Sequence, residues 1–299
     1  MIRLGEEVQT ALSEGRGVVA LETTLVAHGF PPGEGLEVGL GSERAVRAGG
    51  AVPATVGVLD GEVVVGLTED ELARFDGAAR KVGPRDLAPA LVQRAVGATT
   101  VGGTLVACRS AGIRFMATGG LGGVHRGWPR PPDVSADLDA LAGARVLVVS
   151  SGVKSLLDVP ATAELLETLA VPVLGWRTDT LPLFYAASGG PPVSARVEDA
   201  GEAARVAEAH WELGGGGLLL GRPPVESLDD VEPLIEQALT EAEAEGVRGG
   251  AVTPFVLAML HRESGGRTLH ANRVLIEDNA RLAGEIAQAG ASATQRPSS

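Results

Sequence analysis

Two lysines stand apart in a chain that otherwise carries its positive charge on arginine. Of 25 basic residues, only Lys81 and Lys154 are lysines. A guanidinium stays protonated, whereas an amine can shed its proton and attack carbon, so lysine kept at two positions points to amine chemistry. Asparagine is equally scarce, at Asn272 and Asn279 alone. Glu22 lies inside the apolar run GVVALETTL (17–25). Buried there, its carboxyl would hold a proton more tightly and suit a general acid; a salt-bridged glutamate at an exposed strand tip is the ordinary alternative. The run from Gly119 to Gly127, with His125 and Arg126 inside it, could turn backbone N–H groups and positive charge toward an anion, although a plain flexible turn has the same composition. No G-x-G-x-x-G reads through it, which argues against a dinucleotide-dependent dehydrogenase. Asp133 and Asp137 are four residues apart across an expected helix start and could face one site. Acids at such a position commonly serve only the helix dipole.

These residues fall at the ends of predicted strands. Strands are expected at 17–25, 113–120, 145–152 and 171–176, with a hairpin in 54–68 around Asp60-Gly61. Helices are expected at 4–14, 36–49, 69–76, 86–96, 135–143, 154–170, 198–213, 232–245, 253–263 and 268–289. Ser135 reads as an N-cap, and Lys154 opens a helix, where the N-terminus disfavours a cation and so favours a nucleophilic amine. Short Val/Leu/Ile runs between amphipathic helices imply a three-layer α/β/α domain with a largely parallel or mixed central sheet. Ligands of open α/β sheets bind beyond the carboxyl ends of the strands, where Glu22, the glycine run and Lys154 lie. The expectation is one catalytic domain over 1–290 and a flexible polar tail over 291–299.

The chain of 299 residues is 44% hydrophobic but only 3% aromatic, so its core must be built from Ala, Val and Leu. A formal charge of −13 disfavours nucleic acid and anionic membranes as partners while leaving room for a small phosphorylated substrate in a local basic pocket. One cysteine, Cys108, allows no internal disulfide. With no apolar leader and no membrane-length apolar run, the expected location is the cytoplasm.

The segments LETTLVAHGFP (21–31), KVGPRDL (81–87), GATTVGGT (97–104), ATGGLGGVHRG (117–127), DVSADL (133–138) and SSGVKSLLD (150–158) resemble, in order, the pseudouridine-5'-phosphate glycosidase family, which includes indigoidine synthase A-like proteins. TPF (253–255) and the helix from Asn272 to Ile286 fit as well. The resemblance implies a homotrimeric α/β/α enzyme that interconverts pseudouridine 5'-phosphate and water with uracil and ribose 5-phosphate. It implies Glu22 as proton donor, Lys154 as the nucleophile forming a Schiff base, and Lys81, Val101, Ser135, Ala136, Asp137 and Asn272 at the substrate. It also implies a divalent metal, usually manganese and partly water-coordinated, on Asp133. Both lysines and one of the two asparagines land on functional positions of the family.

The chain departs from the family pattern at Gly83-Pro84, where a serine and a basic residue are expected, and at Arg222, where asparagine is usual. These changes bear on substrate preference. A class I aldolase-like sugar-phosphate lyase would use the same lysine without metal or uracil. A non-catalytic sugar-phosphate-binding protein would form no imine. His28, His125 and Asn279 receive no role, and His210, His261 and His270 read as helix-face residues.

Overall fold

Successive residues of a strand point to opposite faces of a sheet. In the computed structural model, which describes residues 1–126, 133–228, 230–248 and 251–294, Val18 and Ala20 enter one hydrophobic core while Val19 and Leu21 enter another. Val146 and Val148 likewise separate from Leu147 and Val149. A strand buried on both faces needs continuous apolar sequence, and that is why these runs lack polar alternation.

The strands are β1 (Ile2–Leu4), β2 (Val18–Glu22), β3 (Val52–Leu59), β4 (Glu62–Val65), β5 (Arg80–Val82), β6 (Gly97–Thr99), β7 (Phe115–Ala117), β8 (Val124–His125), β9 (Leu147–Ser150), β10 (Leu157–Asp158), β11 (Val173–Trp176), β12 (Ala195–Val197) and β13 (Leu218–Gly221). Among the described residues they form an eleven-stranded sheet of order β1-β4-β3-β2-β7-β9-β13-β11-β12, with β6 joining β3 to β5, and a small β8–β10 pair. The sheet is parallel except where β3 meets β4 and β6. The β3–β4 hairpin turns at Asp60-Gly61, both with positive φ (54° and 86°), as the dipeptide foretold.

The helices are α1 (Glu6–Ser13), α2 (Thr24–His28), α3 (Gly35–Ala48), α4 (Glu69–Leu72), α5 (Leu87–Val92), α6 (Val101–Ala111), α7 (Asp137–Ala142), α8 (Val159–Thr168), α9 (Ala200–Glu212), α10 (Glu232–Ala244), α11 (Val252–Glu263) and α12 (Arg267–Thr294). Leu105, Leu138, Leu141 and Leu166 of α6, α7 and α8 fill one face of the sheet. Val46 of α3, Ala203, Ala207 and Trp211 of α9, and Ala280, Ala283, Ile286 and Ala287 of α12 fill the other. The result is the expected single α/β/α domain with a mixed, largely parallel sheet. Each fully buried Leu or Val contributes about 1.5–3 kcal/mol, so many small aliphatic groups compensate for the few aromatics. No helix among the described residues is long and apolar enough to cross a membrane.

Three local expectations are corrected. α8 begins at Val159, not Lys154, because Leu157–Asp158 are drawn into pairing with Val124–His125. Asp158 then caps the helix by accepting from the Ala161 N–H (3.0 Å), and Pro160 sits in the first turn, where its missing N–H goes unneeded. α7 begins at Asp137, so Ser135 lies one residue before the N-cap, although its Oγ still accepts from the Asp137 N–H at 3.3 Å. The tail expected from 291 is helical to Thr294, and its remainder, 295–299, lies outside the described residues, as does Gly127.

Candidate active site

The sheet order makes the carboxyl ends of β2, β7 and β9 neighbours. Glu22 is the last residue of β2 and is only 8% exposed. Thr118, directly after β7, donates its hydroxyl to Glu22 Oε1 at 2.5 Å. Burial raises the Glu22 pKa, since a carboxylate loses its hydration there. Lys154, the Thr118 hydroxyl and Lys81 pull the other way, and Asp137 adds to the rise. The exposed, salt-bridged alternative for Glu22 does not hold.

Beyond β9 the chain runs as Ser151–Lys154 alongside the glycine run that follows β7. The Ser151 N–H donates to Gly119 O (2.9 Å), the Leu121 N–H to Gly152 O (3.0 Å), and the Lys154 N–H to Leu121 O (3.2 Å). The Lys154 side chain passes over Gly120, where an added Cβ would lie 3.2 Å from Lys154 Cγ and 2.7 Å from the Phe184 ring. Phe184 holds a positive φ of 64°, and its N–H donates to Ser151 O at 3.0 Å. A bulky residue rarely adopts that conformation unless its surroundings impose it, and here the imposed contact bears on the Lys154 turn. Lys154 is thus positioned by paired backbone, with no helix N-terminus behind it.

Lys81 projects from β5 with surface open to solvent. The protein packed around its amine still lowers its pKa, followed by the charge of Lys154, while Asp137 and Glu22 act in the opposite sense. Asp137 is 6% exposed and ties two elements together: Oδ1 accepts from the Gly102 N–H of α6 (2.7 Å), Oδ2 from the Gly122 N–H (3.2 Å). The middle of the glycine run is therefore tied into the fold rather than left open to an anion. Its Leu121, Gly122 and Val124 N–H groups are committed to Gly152 O, Asp137 and Thr162 Oγ1. Gly122 is required for another reason, because a Cβ there would lie 2.5 Å from both Asp137 Oδ2 and Ser135 Oγ.

Val101 opens α6 and is 1% exposed, so its side chain belongs to the core. Ser135 is half-buried and Ala136 exposed. Asn272 on α12 is 4% exposed, with Oδ1 facing Gly119. The carbonyl of Asp133 accepts from the His125 N–H at 2.9 Å, and its Oδ2 stands 3.9 Å from His125 Nδ1. Burial lowers the His125 pKa; Asp133 opposes this, and Lys154 and Lys81 reinforce it. His125 therefore belongs to the same charged cluster. His28 has its Nε2 3.0 Å from Ala79 O; burial lowers its pKa, the Ala79 carbonyl opposes this, and the charge of Lys81 reinforces it. His210, His261 and His270 sit in α9, α11 and α12.

The departures have local explanations. Arg222 follows β13; its N–H donates to Ser150 O (2.8 Å), and its guanidinium pairs with Asp278 Oδ2 (3.1 Å), both side chains being largely buried. Its charge is thereby committed to α12. Pro84 lies against Gly102, where a Cβ would be 3.0 Å from Pro84 Cγ, so the altered loop packs onto the residue that donates to Asp137.

Sequence reasoning named His125 and Asn279 without giving them roles, and did not single out Thr118 or Phe184. Asn279 is fully buried and donates Nδ2–H to Thr118 O (3.0 Å) and Ser151 Oγ (3.1 Å). The scarcity of asparagine was a signal for it. Thr118 and Phe184 carried none, since their parts depend on which strands become neighbours.

The family model for indigoidine synthase A-like proteins matches residues 7–289. A pseudouridine-5'-phosphate glycosidase of Chloroflexus aurantiacus is 48% identical, covering 96% of this chain and 98% of its own. One of Streptomyces griseus is also 48% identical, covering 97% and 92%. Among solved structures, a prealnumycin C-glycosynthase in complex with ribulose 5-phosphate superposes with a TM-score of 0.89 at 42% identity, covering 98% of both chains. An indigoidine synthase A-like protein of Thermotoga maritima gives 0.84 at 39% identity, covering 92% and 93%. With the match spanning the sheet, the Lys154 turn and α12 alike, the chain belongs to the family of indigoidine synthase A-like proteins and pseudouridine-5'-phosphate glycosidases.

Proposed function

We propose that the protein is a pseudouridine-5'-phosphate glycosidase that uses Lys154 as nucleophile and Glu22 as proton donor. The observation that carries this reading is a buried carboxyl, its pKa raised by burial, in the same charged cluster as one of only two lysines. The names of its relatives and the ribulose 5-phosphate held by a structural neighbour support a sugar-phosphate substrate.

The chemistry accounts for the residue types. Ordinary glycosidases protonate a leaving oxygen between two carboxylates. In pseudouridine the ribose C1' is bonded to C5 of uracil, which makes a poor leaving group. Glu22 gives its proton to the ring oxygen as the C1'–O bond breaks, and the Lys154 amine bonds to C1'. The ammonium formed at Lys154 returns a proton to the Glu22 carboxylate, the electrons of the C1'–C5 bond pass to uracil, whose C5 takes that proton, and the nitrogen lone pair makes C1' the imine carbon. Water hydrolyses the imine, releasing ribose 5-phosphate and restoring the amine. Lys81 binds substrate, and Asn272, Ser135, Ala136, Asp137 and the Val101 backbone line its place.

Asp133 and His125 supply oxygen and nitrogen donors that suit manganese. Among the described residues no group of three or more His, Cys, Asp or Glu gathers around one point, so the ion would keep most of its ligands as water. When bound, it would neutralise negative charge and order water beside the sugar phosphate. A homotrimer and a cytoplasmic location complete the proposal on family grounds.

The test is to supply ribose 5-phosphate, uracil and manganese and look for pseudouridine 5'-phosphate by mass and ultraviolet absorbance. Its formation supports the reading. Trapping of ribose 5-phosphate without any use of uracil would favour the aldolase-like alternative, and neither product nor trapping would leave a binding protein.

A further inference from the structure

α12 meets the carboxyl ends of three adjacent strands through two consecutive residues. Asp278 takes the Arg222 guanidinium that follows β13 (3.1 Å), and Asn279 reaches the ends of β7 and β9. Asn279 has no exposed surface, and its amide spans two turns: Thr118 O at 3.0 Å and Ser151 Oγ at 3.1 Å. Thr118 passes the restraint on, since its hydroxyl holds the Glu22 carboxyl. Ser151 opens the turn that ends in Lys154, and that turn is already paired to Gly119 and Leu121. Two donors on one planar amide fix the separation of their acceptors, and a buried amide keeps its bonds because losing them leaves polar groups unpaired.

We propose that Asn279 is a positioning residue that sets the distance between Glu22 and Lys154 by bridging the turns that carry them. It touches neither substrate nor reacting atoms. The proposal rests on Glu22 and Lys154 being the reacting pair.

The discriminating variant is Asn279→Asp, which keeps the shape but directs an acceptor at Thr118 O whenever it is ionised. Only the neutral acid can donate there. The charged groups carried by the elements bonded to or holding it are Glu22, bound by Thr118, Lys154 at the end of the Ser151 turn, Arg222 after β13, and Asp278 and Arg281 on α12. Expected is a fall in kcat of roughly 10- to 100-fold at neutral pH, since misplacement of reacting groups by about 1 Å has effects of that size. KM should stay within about twofold, borohydride trapping on Lys154 should slow in parallel, and the ratio of variant to wild-type kcat should recover on acidification. Ser151→Ala removes one arm of the bridge. Paired with Asn279→Ala it should add little to the loss from Asn279→Ala alone, because both cut the same connection. If Asn279→Ala does not fold, Asn279→Asp and Ser151→Ala still decide the matter.

Wild-type kcat and pH profile in Asn279→Asp, with only a lowered Tm, would overturn the proposal, as would fully additive losses in the double variant. A Lys154→Ala enzyme that still turns over would instead refute the functional reading beneath it. An inactive Lys154→Ala beside a kinetically normal Asn279→Asp would refute the positioning role alone.

Discussion

Replacing Glu22 with glutamine should inactivate the enzyme and stabilise it. The side chain is buried at the end of β2, and desolvation is the largest influence on its pKa, outweighing Lys154, Thr118 and Lys81. A carboxyl whose folded pKa is raised binds its proton more tightly in the folded state. Stability is therefore greatest when the group is protonated in both states, and falls as pH climbs from the ordinary glutamate value of about 4.3 to the raised one. Above that window the folded enzyme bears a permanent penalty. Glutamine has no such penalty, and its amide oxygen can still accept from Thr118 Oγ1. The isolated cost of burying a carboxylate is several kcal/mol, but two lysines and a hydrogen bond offset most of it, which leaves a net gain for Glu22→Gln on the order of 1–3 kcal/mol at pH 8. At about 2–4 °C per kcal/mol, Tm should rise by several degrees at pH 8, and the gain should vanish near pH 4. Turnover should fall by about 10²- to 10⁴-fold, the usual contribution of a positioned acid. Thermal unfolding of both proteins at pH 4, 6 and 8, beside steady-state kinetics, reads both effects. A Glu22→Gln protein less stable than wild type at pH 8 would show that the buried carboxylate is a net stabiliser and refute the argument.

Other expectations follow from the geometry. Gly122→Ala places a methyl 2.5 Å from Asp137 Oδ2 and Ser135 Oγ. The loop must open, costing about 1–3 kcal/mol and much of the activity, as denaturant melts and kinetics would show. Arg222→Ala leaves Asp278 without its 3.1 Å partner and should destabilise by roughly 1–3 kcal/mol, while adding Asp278→Asn should recover part of that loss. Equal losses in the single and double variants would mean that the pair contributes nothing beyond the packing of the arginine.

The outline of the fold was legible because buried parallel strands leave continuous Val/Leu runs, and the Asp60-Gly61 turn announces its own hairpin. The short edge strands β1, β5 and β12 lack that signature, and α6 was hidden because two of its first three residues are glycines, poor helix formers that are tolerated where Thr100 caps and Asp137 binds Gly102. Glu22 and Lys154 were visible from residue type alone: a lone acid in an apolar run, and a lysine where arginine would have sufficed. Their mutual placement was not, since it depends on β7 lying between β2 and β9. For the same reason Thr118 and Asn279, whose partners are 96 and 161 residues away in sequence, could not be assigned. The Lys154 helix was misjudged because pairing of Leu157–Asp158 with β8 overrides local helix propensity.

The most direct test of the account uses the fact that the chain has only two lysines. The wild-type enzyme is treated with ribose 5-phosphate and borohydride, digested, and its peptides weighed. A reduced pentose phosphate adduct on Lys154, absent from Lys81 and abolished in Lys154→Ala, is the predicted result; an adduct on Lys81, or unimpaired turnover without Lys154, would contradict it.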